Sequence, residues 1–261
     1  MNLDFTLPKY TALCQIIRAL PAETMTLAQF LKAGQPQRLI FILRHDVDRS
    51  LKSALRMAEL EARLQISSTY YFRTTRAVFR QESLTHLHQL GHEVGYHYEV
   101  LTKARGNHQQ AIVKFNEELA QFRRIVPVET ISMHGSPLLP WDNRDLWQHY
   151  DFKEYELLGE AYLSIDYTNV YYFTDTGRSW ADGRYNVRDR TGGRKPDRTI
   201  RTTDDLIAFL NQVPDSPVLI NTHPERWTAT RWSWGISAAS DWAINRVKRL
   251  ITWQRGLGQA S

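Results

Sequence analysis

Asp46 and Asp48 stand two residues apart directly after the apolar run RLIFILR at 38–44. Two carboxylates so spaced at a strand end have different surroundings. One can bind a divalent cation while the other handles a proton, the division of labour that a metal hydrolase needs. The plainer alternative is a polar turn in which Asp48 caps the following helix. Three histidines occupy comparable positions. His97 ends VGYHY, His134 ends ETISMH and is followed by Gly135, Ser136 and Pro137, and His223 ends PVLINTH. An imidazole nitrogen beside a carboxylate oxygen suits Zn²⁺, Co²⁺ or Fe²⁺. An imidazole at the His223 position can give a proton to a leaving amine or alkoxide. Taken alone, His97 also reads as a satisfied histidine in a half-buried strand, and His223 as a strand-end histidine bonded to backbone.

The elements that must carry these groups alternate short β-rich runs with amphipathic helices, which predicts an α/β architecture. Strands are expected at 38–44, 68–74, 94–98, 129–134, 170–174 and 217–223. A helix at 51–64 has Ser50 as candidate N-cap. A shorter one at 79–90 is stopped by Gly91. The helix at 109–124 places Ile112, Phe115, Leu119 and Phe122 on one stripe. Thr202 with Asp205 three later predicts a capping box ahead of Leu206, Ile207 and Leu210. A closing helix is expected at 238–253, with Trp242, Ile244 and Val247 or Leu250 facing inward. Every chemical cluster then falls at the carboxyl end of a strand, where barrels and open sheets place their sites.

The succession Arg44-His45-Asp46-Val47-Asp48, Ser68-Thr69-Tyr70-Tyr71-Phe72, Gly91-His92-Glu93-Val94-Gly95-Tyr96-His97, Ser132-Met133-His134-Gly135-Ser136-Pro137 and Leu219-Ile220-Asn221-Thr222-His223-Pro224 resembles the polysaccharide deacetylase family. That family is also called carbohydrate esterase family 4, or the nodulation-type deacetylase homology domain. The resemblance spans roughly 38–227. The stretch Tyr172–Trp180 and the ending His223-Pro224-Glu225-Arg226-Trp227 look like a divergent subgroup associated with surface-polysaccharide biosynthesis, lipopolysaccharide included. The resemblance implies one domain over 1–261, a distorted (β/α) barrel of about seven strands, and removal of an N- or O-acyl group from a sugar or sugar-like substrate. It implies Asp46 as general base, Asp48 and His97 as metal ligands, and His223 as general acid. The implied cofactor is a divalent metal, Zn first, with Co, Fe or Ni as alternatives. The family's second metal-binding histidine falls at Leu101, which cannot ligate. Glu99 or His134 stands in as third ligand. The family's arginine-proline motif is replaced by His134-Gly135-Ser136-Pro137.

Arg73 and Arg178 are candidates to hold an anionic substituent. Trp180 and Trp227, with Trp141, Trp232 and Trp234, are candidates to stack on a sugar ring; core packing is the commoner use of tryptophan. The chain of 261 residues is 42% hydrophobic and 23% charged, with net charge +5. Residues 184–201 hold seven basic residues (Arg184, Arg188, Arg190, Arg194, Lys195, Arg198, Arg201) against Asp189 and Asp197, so this segment carries the whole surplus. It reads as a solvated loop or as a loop that meets an anionic small-molecule or oligosaccharide substrate. No nucleic-acid motif accompanies it. The single cysteine, Cys14, the lack of a secretory pattern and the lack of a bilayer-length apolar run predict a cytoplasmic protein without membrane insertion. Two other classes compete. One is a glycosyltransferase that uses Asp46 and Asp48 as a DxD pair for a metal-bound nucleotide-sugar. The other is a sugar-binding relative that has lost turnover.

Overall fold

The computed structural model describes residues 3–136, 139–180, 189, 191–230, 232–239, 242 and 246. Its frame is one sheet. The strands are β1 (Glu23–Thr24), β2 (Ile40–Val47), β3 (Thr69–Phe72), β4 (Glu93–Tyr98), β5 (Thr130–Met133), β6 (Gly159–Glu160), β7 (Tyr171–Thr174) and β8 (Val218–Thr222). They run in the order β6-β5-β4-β3-β2-β8-β7, with β1 pairing β2 off this path. Every pairing is parallel, so all carboxyl ends point the same way. The helices are α1 (Leu7–Ala19), α2 (Leu27–Lys32), α3 (Leu51–Arg63), α4 (Gln81–Gln89), α5 (Val100–Lys103), α6 (His108–Arg123) and α7 (Thr203–Leu210).

Side-chain reach shows that the sheet curls. β2 and β5 are three strands apart, about 14 Å in a flat sheet. Yet the Arg44 guanidinium donates to Ser132 Oγ at 2.6 Å. The two edges also meet through side chains. Tyr162, just past β6, donates to Asp189 Oδ1 at 3.0 Å, and Tyr172 of β7 donates to the same oxygen. The result is a distorted (β/α) barrel. Gly95 makes room inside it, since a Cβ there would fall 2.3 Å from the Tyr71 ring. Ile40, Ile42, Tyr71 and Leu219 fill the lower interior. Outside, α3, α4 and α6 pack one apolar layer and α1 with α7 another.

The predicted elements largely appear, with shifted ends. β2 continues through His45, Asp46 and Val47 instead of stopping at Arg44, because residues 40–47 are buried throughout. Ser50 caps α3 through Ser53 N at 3.3 Å, and the Thr202/Asp205 capping box forms. In α6, Phe115, Leu119 and Phe122 are buried as the stripe requires. The closing helix differs from expectation. Residues 232–239 are helical, and Trp242 is 63% exposed with Arg246 over its ring, not inward-facing. Ile244, Val247 and Leu250 lie outside the described residues. No helix among the described residues is long and apolar enough to cross a membrane.

Candidate functional site

Strand alternation assembles the polar end of the barrel. Arg44, Asp46 and Asp48 share one face of β2 and its extension; Gly95, His97 and Glu99 share one face of β4 and its extension. Ser132 and His134, and Asn221 and His223, follow the same parity. His45, one residue out of phase, faces the helices instead.

Asp48 is the meeting point. Its Oδ1 lies 3.4 Å from His97 Nε2 and 3.6 Å from His134 Nε2. That oxygen is buried and has no aligned hydrogen-bond partner among the described residues. The other ring nitrogens are already engaged. His97 Nδ1 faces the Ser132 carbonyl at 3.0 Å, an acceptor only, so Nδ1 carries the proton. His134 Nδ1 bonds Ser136 Oγ at 3.0 Å and lies 3.1 Å from Glu99 Oε2. With both neutral rings protonated on Nδ1, two imidazole lone pairs face one carboxylate oxygen, an arrangement that needs a proton or a cation between the acceptors. In a tetrahedral site with metal–ligand bonds near 2.1 Å, ligand atoms stand about 3.4 Å apart, close to the spacings seen here. Carboxylate or carbonyl contacts on the far nitrogen are the usual outer support of ligating histidines. Among the described residues no group of three or more His, Cys, Asp or Glu side chains is arranged to hold a metal ion as it stands; Asp48, His97 and His134 bring one oxygen and two nitrogen donors to one place.

Glu99 therefore stands behind His134 and not beside Asp48. Arg73 Nη2 donates to Glu99 Oε2 at 2.7 Å, and Lys103 lies 3.6 Å from Oε1. Burial works to raise the Glu99 carboxyl, but His134 and Arg73 outweigh it and hold it at about 2. Burial likewise opposes ionisation of Asp48, and His134 and His97 override it, keeping that carboxyl well below its ordinary value.

Asp46 lies one layer deeper. Arg44, fully buried, grips it with Nε at 3.1 Å and Nη2 at 2.9 Å, and Asn221 Nδ2 adds a bond at 3.2 Å. Tyr162 accepts from Arg44 Nη2 at 2.9 Å and lies under the guanidinium at 4.3 Å. Burial pushes the Asp46 carboxyl up; Arg44, helped by His97 and His223, more than reverses this, and Asp46 stays ionised.

His223 sits across the mouth, and Asp175 holds it. Asp175 Oδ1 is 2.7 Å from His223 Nδ1, and Oδ2 accepts from the His223 backbone N–H at 2.9 Å. Arg226 and the Trp227 indole also donate to Asp175, at 2.6 and 2.9 Å. Burial and Arg226 oppose protonation of His223, but Asp175 and Asp46 prevail and raise its pKa. Asp175 itself, buried yet surrounded by Arg226 and His223, titrates at about 2.

The remaining candidates are placed otherwise. Trp180 and Trp227 are 5% and 2% exposed and pack with Phe5 in the core, so neither offers a face to a sugar. Trp180 Nε1 bonds Thr203, and Trp227 Nε1 bonds Asp175. Arg73 is turned into Glu99. Arg178 ties the 224–226 turn to helix 232–239 through Arg226 O and Ser237 Oγ. Both arginines thus make contacts within the protein. Arg194 of the basic segment sits at the start of β7, at the end away from the mouth, with Asp215, Ser216 and the Tyr171 ring. Arg184, Arg188, Arg190 and Pro137 lie outside the described residues. Sequence reasoning missed roles for Arg44, Asp175, Ser132 and Asn221. Arg44 shares the parity of Asp46, and Asp175 directly follows a strand; those were the available signals.

No protein-family model matches the chain, and no curated protein matches it. Several solved structures are similar to it, three of which follow. Peptidoglycan deacetylase PdaC from Bacillus subtilis is 16% identical over 81% of this chain and 84% of that one, with a TM-score of 0.42. The catalytic domain of peptidoglycan N-acetylglucosamine deacetylase from Eubacterium rectale ATCC 33656 is 12% identical over 85% and 86%, at 0.43. The Xyl-CE4 domain of a multidomain xylanase from the hindgut metagenome of Trinervitermes trinervoides is 11% identical over 85% of each, at 0.40. Likeness at this level does not speak to chemistry, which rests on the chain's own residues.

Proposed function

We propose that this chain is a metal-dependent hydrolase that removes an N- or O-acyl group from a sugar or sugar-like substrate in surface-polysaccharide biosynthesis. One observation carries the reading: two imidazoles, each anchored through Nδ1, aim Nε2 at one buried oxygen of Asp48 that has no aligned hydrogen-bond partner among the described residues, with Asp46 and His223 at the same mouth. Asp48, His97 and His134 would hold the ion, with Glu99 behind His134. When bound, a divalent ion supplies the Lewis acidity that makes water nucleophilic near neutral pH.

The chain's own residues do the rest. Asp46, kept ionised by Arg44, accepts the proton of the attacking water. Arg44 and Asn221 fix the carboxylate so that it approaches in one orientation. His223, protonated with Nδ1 pinned by Asp175, delivers a proton from Nε2 to the departing amine or alkoxide. The glycosyltransferase reading requires both acidic residues for a metal-bound diphosphate, and Asp46 is already committed to Arg44. Leu101 is 2% exposed and packs in the outer apolar layer, so its type reflects packing.

The test is acetate release from N- and O-acetylated sugar oligomers by chelator-treated protein before and after Zn²⁺ is restored. The expected result is metal-restored release that Asp46→Asn and His223→Ala each abolish. Turnover of nucleotide-sugars without acyl release would overturn the proposal.

A further inference from the structure

Helix 232–239 is tied to the turn that follows His223. Ser237 Oγ donates to the Glu225 carbonyl at 3.1 Å. Arg178 Nη2 donates to Ser237 Oγ at 2.6 Å and to Arg226 O at 3.3 Å. Trp234 anchors the start of the helix: its Nε1 donates to Asp4 O at 2.7 Å, and the Arg178 guanidinium lies over its ring. Ser233, Trp234, Ser237 and Ala238 are all half-buried, so this side of the helix faces the protein.

The opposite side is apolar and open. Trp232, Gly235, Ile236 and Ala239 are exposed, as are Trp242 and Arg246, which are helical further along. They follow the i, i+3, i+4, i+7 spacing that puts residues on one side of an α-helix. Trp232 is 80% exposed, Ile236 58% and Trp242 63%. The solvent side of a helix is ordinarily charged or polar. Among the described residues the charge on this side is Arg246, which lies 4.9 Å from the centroid of the Trp242 ring.

The chemistry of this side selects its occupant. Tryptophan favours bilayer interfaces, where its apolar ring and polar N–H match the headgroup boundary. Residues 231–255 hold Arg231, Arg246, Lys248, Arg249 and Arg255 against one acidic residue, Asp241. Exposed tryptophan and isoleucine with a basic surplus is the composition of helices that lie on anionic lipid. A second copy of the chain is the poorer fit. The three large side chains present roughly 450 Å², short of the ~800 Å² per partner of a standard interface.

We propose that the exposed side of helix 232–239, continued by Trp242, docks on an anionic membrane surface and holds the barrel mouth beside it. This does not depend on the hydrolase reading, and vesicle binding is measured without turnover.

The experiment sediments full-length protein with vesicles of phosphatidylcholine alone and of phosphatidylcholine mixed with phosphatidylglycerol. Wild type, the double variant Trp232→Ser/Trp242→Ser, and Arg246→Glu are compared. Melting temperature and solution mass by light scattering are measured on each. The expected result is wild-type binding to the mixed vesicles that weakens as salt rises to about 0.5 M. Binding to phosphatidylcholine alone should be weaker. The double variant should bind the mixed vesicles at least ~10-fold more weakly, with an unchanged melting temperature because both rings lie on the surface. Arg246→Glu should weaken binding to the mixed vesicles only, and it provides the reading if the double variant fails to fold. Wild type that stays in solution with the mixed vesicles would overturn the proposal. So would equal binding to the two lipid compositions, or full binding by the folded double variant. A wild-type dimer that the double variant dissociates, without vesicle binding, would assign this side to a second copy and would also overturn it.

Discussion

His223 is held by Asp175 through both its backbone N–H and its ring Nδ1. Burial and Arg226 favour the neutral ring, Asp175 favours the charged one, and the net effect is a raised pKa. A general acid works in its protonated form, so activity should be full below that pKa and fall as pH rises through it. In Asp175→Asn the carboxylate charge is gone and the His223 pKa falls. The alkaline limb of kcat/KM against pH should then move to lower pH, with kcat reduced roughly 10²–10⁴-fold. An unmoved limb would contradict the assigned role. Arg44 gives a second test at this scale. Arg44→Met leaves Asp46 buried and unpaired and should cost about 3–5 kcal/mol in urea denaturation. Arg44→Met with Asp46→Asn should recover much of that loss, because the orphaned charge goes too.

At the scale of elements, one buried carboxylate joins four of them. Glu61 of α3 accepts from Tyr70 of β3 at 2.8 Å and from Tyr10 of α1, and stands 3.0 Å from His45 Nε2 of β2. His45 reaches on to Thr222 of β8 at 2.7 Å. Burial raises the Glu61 carboxyl, and His45, with His92 and Tyr10, brings it down to about 2 from 4.5. A depressed carboxylate contributes stability that is present above its unfolded pKa and lost as pH falls through its folded one. Wild type should therefore lose stability between about pH 4.5 and 2, and Glu61→Gln should be less stable at neutral pH with a shallower slope across that window. Equal slopes would show that Glu61 is not the titrating group. The tryptophans divide likewise by element. Trp180→Ala should cost about 3–5 kcal/mol through core loss and leave sugar affinity of the folded protein unchanged.

Viewed across the whole molecule, the long elements were legible because period and burial agree. The stripe of α6, the caps of α3 and α7, and six of the strands follow from local pattern. β1 and β6, two residues each, are too short to show a period. The end of β2 was misplaced because His45 and Asp46 are polar yet fully enclosed, one bonded outward to Glu61 and the other inward to Arg44. The strand-end placement of Asp46, Asp48, His97, His134 and His223 was legible. Their partners were not, because Arg44–Ser132 and His223–Asp175 depend on sheet order and curl, which no local spacing encodes. The choice between Glu99 and His134 is of the same kind. It turns on which group faces Asp48, and the distances put His134 there with Glu99 behind it.

Metal content of the native protein beside Asp48→Ala and His97→Ala, each checked for an intact fold by circular dichroism, tests the centre of this account most directly. The expected result is one equivalent of divalent ion in wild type and loss of that ion in both variants without loss of fold. Both variants retaining the wild-type ion would contradict it.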